Sequence, residues 1–130
     1  MSAEFQSIFT RLRGILRKQR GQLCVKSDTS TCYCLEAKAG RAAVSAWGGK
    51  VKRPMIPVAW VQIGKAYVSY HLMGIYADAR LRDSLSNELK ARMQGKACFN
   101  FRSEDDPLFK ELERLTDQAI AGFRKAGFIR

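Results

Sequence analysis

The sequence predicts an α+β fold, a two-layer sandwich in which N- and C-terminal helices cover one face of an antiparallel sheet. Apolar residues recur at three- and four-residue steps near each end of the chain. Between them, short runs alternate with the two-residue period of strands, and a glycine turn joins the two clearest runs. At 130 residues the chain has room for one core, so residues 1–130 are read as a single domain.

Residues 4–20 carry Phe5, Ile8, Phe9, Leu12, Ile15 and Leu16 on one helical face, with Ser2 as a cap and Gly21 as a left-handed stop. Residues 22–26 and 31–36 read as a hairpin around Ser27-Asp28-Thr29-Ser30. Residues 37–57 are the least legible stretch, and one strand is expected there within a long basic connection. Residues 58–63 and 66–72 flank Gly64-Lys65, read as a two-residue type II′ turn. That register pairs Ala59 with Tyr70, Val61 with Val68 and Ile63 with Ala66 on the core face. Val58/His71, Trp60/Ser69 and Gln62/Tyr67 then fall on the other face. A loop or short helical turn follows Gly74, then a helix over 87–93 with Ser86 as its cap and Gly95 past its end, then a strand over 97–101. The last helix begins at Asp106-Pro107 and buries Leu108, Leu112, Leu115, Ala119, Ile120 and Phe123.

Several function classes are disfavoured by composition. No apolar run reaches the ~18 residues of a membrane-spanning helix, and the first ten residues lack the pattern of a secretory signal. The expected compartment is the reducing cytoplasm, where Cys24, Cys32, Cys34 and Cys98 stay free. The formal net charge is +11, and it is uneven: residues 1–65 hold twelve Lys/Arg against Glu4, Asp28 and Glu36, the rest eleven against nine. Such asymmetry favours a polyanionic partner, although solubility alone accounts for high charge too.

Arg11, Arg13, Arg17, Lys18 and Arg20 on the first helix, with Lys50, Lys52 and Arg53, form a candidate phosphate-binding patch. No helix-turn-helix, zinc finger or RNP motif accompanies it, so binding would be independent of sequence. Cys32 and Cys34, two apart, share a strand face that Cys24 can approach; three thiolates are candidate zinc or iron ligands, against the plainer reading of buried thiols. Cys98 is read as core. His71 with Cys32 or Cys34 lacks the third group of a nucleophilic site, and no catalytic residue or cofactor is expected. Gly64-Lys65 and Gly95-Lys96 lack the context of phosphate loops. Glu104, Asp105 and Asp106 are explained by helix capping. Trp60, Tyr67 and His71 remain, flat groups suited to stacking on bases or anchoring a protein, unless another segment or a second copy covers them.

Two stretches carry a resemblance: Tyr67-Val68-Ser69-Tyr70-His71-Leu72-Met73, and residues 89–101 followed by Leu108-Phe109-Lys110-Glu111-Leu112. They resemble the YdhG-like family of bacterial proteins of largely unknown function, over roughly residues 57–130. That resemblance implies a frataxin-like sandwich. Gly74 and Asn87 stand where the family pattern has proline. The iron-chaperone role of the family's best-known member does not carry over. Frataxins hold iron through first-helix carboxylates, whereas this helix has only Glu4 and five cations. Frataxins also dock the iron–sulfur assembly scaffold through an exposed, tryptophan-bearing sheet face, which implies docking at Trp60 here. The leading expectation is therefore a non-enzymatic cytoplasmic binding or adaptor domain that docks a protein on that face. A polyanion or nucleic-acid binder through the basic helix is the alternative, and cysteine-based or frataxin-like metal handling the weaker one.

Overall fold

The computed structural model describes residues 3–46, 55–76 and 78–130. The expected first helix forms as α1 (Ala3–Arg17) and buries Ile8, Phe9, Leu12, Ile15 and Leu16. It ends a turn early, and Arg20–Gln22 forms a 3₁₀ turn. Gly21 does not take the left-handed conformation: the described glycines that do are Gly95 and Gly127.

Strands β1 (Cys24–Asp28) and β2 (Cys32–Lys38) form the first hairpin. Its turn lies a little later than expected, because Thr29 organises it. The Thr29 Oγ1 accepts from the backbone N–H of Cys32 at 3.0 Å and of Thr31 at 3.3 Å. Residues 41–46 are helical (α2, Arg41–Ala46) rather than the expected strand. The N–H groups of Gly40 and Ala42 reach the carbonyls of Phe128 and Gly127 at 2.8 and 2.9 Å, so the C-terminal tail holds the start of this helix.

Strands β3 (Met55–Ile63) and β4 (Val68–Leu72) pair as predicted, but two residues out of the expected register: Ala59 faces Leu72, Trp60 faces His71, and Ile63 faces Val68. The connection is a four-residue loop, closed by the Gly64 N–H donating to the Tyr67 carbonyl at 2.9 Å. A shift by two leaves every paired side chain on its predicted face, since the strand period is two. Val58 is the exception; the β2–β3 pairing skips it, and it is buried instead of joining the outer face.

Three short helices follow, α3 (Met73–Tyr76), α4 (Ala79–Asp83) and α5 (Asn87–Lys90). The Ser86 cap is as expected, its hydroxyl accepting from the Leu89 N–H at 3.1 Å while donating to Glu111 at 2.6 Å. The helix expected over 87–93 stops at Lys90, because Met93 and Gln94 pair as strand β5 (Met93–Gln94) with β6 (Cys98–Phe101). Gly95 takes its left-handed conformation in that hairpin, not at a helix end. Helix α6 (Asp106–Lys125) is capped by Asp105, one residue before the predicted cap.

The sheet has six strands in the order β1-β2-β3-β4-β6-β5, every pairing antiparallel. Helix α1 packs on β3 and β4 and lies beside α6. Leu35, Val61, Tyr70, Phe99 and Leu112 are among the buried residues between the layers. This is the predicted α+β arrangement. No helix among the described residues is long and apolar enough to cross a membrane.

Candidate functional site

Side chains alternate across a strand, so one row of directly opposed residues crosses the sheet on the face away from α1 and α6. The row runs Ser27, Cys34, Trp60, His71, Cys98, Gln94 over all six strands. Next to it lies Cys32, Gln62, Ser69, Asn100. The observed register is what brings Trp60 opposite His71, and their rings stack with centroids 4.4 Å apart and planes 10° from parallel.

Around the stack the polar groups satisfy one another. Ser69 Oγ donates to Asn100 Oδ1 at 2.9 Å, and Asn100 Nδ2 donates to Gln94 Oε1 at 2.7 Å. Tyr67 lies in the loop rather than opposite Gln62, yet its hydroxyl reaches Gln94 Oε1 at 3.5 Å and Arg102 lies over its ring. The three aromatic residues predicted from sequence therefore border one network.

Cys98 is not core. Its strand alternates Phe99 and Phe101 inward with Cys98 and Asn100 outward, and Cys98 Sγ sits 3.7 Å from His71 Nε2. Ser69, Gln94, Cys98 and Asn100 were missed as site residues, although the alternation Cys-Phe-Asn-Phe signals this placement.

Burial sets the charge of the face. It pulls the His71 imidazole below its ordinary value and pushes the Cys98 thiol up, the latter partly offset by a hydrogen bond with Ser69. Burial likewise raises Cys34 and Cys32, with Lys26 opposing in both. At neutral pH the centre of the face thus carries thiols, neutral imidazole, amides and aromatic rings.

Cys32 and Cys34 do share a face, and Cys24 lies opposite Glu36 near the same edge. They form no metal-ligating group of three among the described residues. Trp60 stands between Cys34 and His71, so the imidazole's thiol neighbour is Cys98 rather than Cys32 or Cys34.

The basic helix is largely answered by acids elsewhere. Arg11 pairs with Asp106 at 2.5 Å and with Glu104 at 3.9 Å, Lys18 with Glu113 at 2.7 Å, and Arg17 with Asp28 at 3.6 Å. Capping therefore explains Asp105 alone; Glu104 and Asp106 serve the seam between α1 and α6. Arg11 and Lys110 together hold the Asp106 carboxyl below the usual range. Arg13 lies over the Phe9 ring, and Arg20 makes no ion pair among the described residues. Lys50, Lys52 and Arg53 lie outside the described residues.

No family model, no curated protein and no solved structure matches this chain.

Proposed function

We propose that this chain is a non-enzymatic binding module of frataxin-like fold, acting in the cytoplasm, whose protein partner docks on the outer sheet face. The Trp60–His71 stack carries the reading. A pre-stacked aromatic pair offers rigid area and loses little conformational entropy on binding, which is the character of an interface anchor. The uncharged centre of the face supports a protein partner over a polyanion, because phosphate recognition draws on cations, and here Arg102 and Lys26 stand beside that centre rather than within it. Three of the five first-helix cations are already in ion pairs, which weighs against the nucleic-acid alternative.

A photocrosslinking residue placed at the exposed Gln62, in the host cell, tests this directly. One discrete adduct with another protein is expected, absent when the crosslinker replaces Arg114 on α6 and absent again when Trp60→Ala is added. The purified partner should then bind the Trp60→Ala chain at least about tenfold more weakly. An adduct of twice the chain's own mass identifies a second copy as the occupant, and equal labelling from both positions sinks the proposal.

A further inference from the structure

Cys98 and His71 are directly opposed on neighbouring strands, so the ladder sets their side chains next to each other on one face. Their separation, Sγ to Nε2, is 3.7 Å. A zinc ion with Zn–S about 2.3 Å and Zn–N about 2.0–2.1 Å places its two ligand atoms about 3.5 Å apart at a tetrahedral angle, but about 4.3 Å apart if linear. The observed distance is that of a thiol–imidazole hydrogen bond and lies within about 0.2 Å of the bent arrangement, so one zinc-class ion can take both donors with little movement.

The ring is also held for the task. Trp60 stacks flat on the imidazole, which restrains the plane of the ring, and in that plane Nε2 faces Cys98 Sγ. Asn100 Oδ1 lies 3.5 Å from Cys98 Sγ, and Gln94 Oε1 continues the polar rim, so oxygen acceptors border the same spot without supplying a positive charge. Thiolate and imidazole are the donor pair that borderline and thiophilic cations prefer.

We propose that Cys98 Sγ and His71 Nε2 form a two-ligand site for a divalent cation of the zinc class, with its remaining coordination positions open. Binding replaces the Cys98 S–H bond by a sulfur–metal bond and releases that proton to solvent, while His71 ligates as the neutral imidazole. Two protein ligands leave room for water or for a ligand from outside the chain, one protein ligand fewer than an ordinary catalytic zinc site and two fewer than a structural one. Cys24, Cys32 and Cys34 take no part.

Cobalt(II) is the probe, added to the full-length, metal-free chain under a non-chelating reductant. The wild type and a Cys24→Ser/Cys32→Ser/Cys34→Ser variant should both show thiolate-to-cobalt charge-transfer absorption, saturating at one ion per chain and displaced by zinc. Cys98→Ser should abolish that band, and His71→Gln should weaken binding at least about tenfold, as expected for losing one of two ligands. Circular dichroism of each variant separates ligand loss from misfolding. Absence of the band in the wild type overturns the site, as does its persistence in Cys98→Ser. Crosslinking from Gln62 in the Cys98→Ser chain reads docking without the metal site, so either reading can fail alone.

Discussion

Burial at His71 has a consequence for stability that needs neither metal nor partner. Its folded-state pKa lies below the ordinary 6.5 because desolvation disfavours the imidazolium. Between those two values the unfolded chain binds more protons, so this contribution is complete above about pH 6.5 and is lost as pH falls toward the folded value. His71→Gln should flatten the acid limb of a urea-derived stability profile of the metal-free protein. An unchanged slope between pH 7 and pH 5 would refute it, a window set by the usual range of histidine titration. On the opposite face, Thr116 Oγ1 donates its single hydrogen to the Leu112 carbonyl at 2.7 Å. The buried Tyr70 hydroxyl, 2.6 Å away, must therefore be the donor to Thr116. Burial raises the Tyr70 pKa, so that proton stays. Thr116→Val strands a buried hydroxyl and should cost about 1–3 kcal/mol. Adding Tyr70→Phe should recover part of the loss, and a double-mutant cycle by denaturation measures the coupling.

Two glycines separate what an element tolerates alone from what its packing allows. Gly14 sits inside α1, and a Cβ there would have no neighbour within 4 Å. Gly14→Ala should stabilise the protein by about 0.5–1 kcal/mol, the helix preference of alanine over glycine. Gly74 lies in α3 where it meets α6, and a Cβ would collide with the carbonyl oxygen of Ala119. Gly74→Ala should destabilise by about 1–3 kcal/mol, because backbone must shift to make room. Thermal melts of the two variants should move in opposite directions. A Gly74→Ala melt at or above the wild-type temperature would mean that α3 and α6 are not in close contact.

For the molecule as a whole, the +11 charge is arranged so that first-helix cations meet acids of the α6 region. Such exposed pairs add little to stability and weaken with salt. Their larger effect is to occupy cations that would otherwise face solvent. Glu104→Gln/Glu113→Gln should therefore leave the urea midpoint nearly unchanged while raising the salt needed to elute the chain from heparin. Elution at the wild-type salt concentration would show that the seam does not restrain polyanion binding.

The sequence by itself determined both terminal helices, five of the six strands and the face on which nearly every residue of the β3–β4 hairpin lies, because these follow from local periodicity and hydrophobic burial. It also marked Trp60, Tyr67 and His71. Tertiary structure decided the register, the end of the 87–90 helix and the helical state of 41–46. These depend on partners remote in sequence: β6 takes Met93 and Gln94 into the sheet, and the C-terminal tail bonds to Gly40 and Ala42. The Cys98–His71 approach belongs to the same class. A loop of four residues instead of two moved no paired side chain to the other face, yet it chose which side chains stand opposite one another. Periodicity specifies a face, whereas only the completed ladder specifies a neighbour.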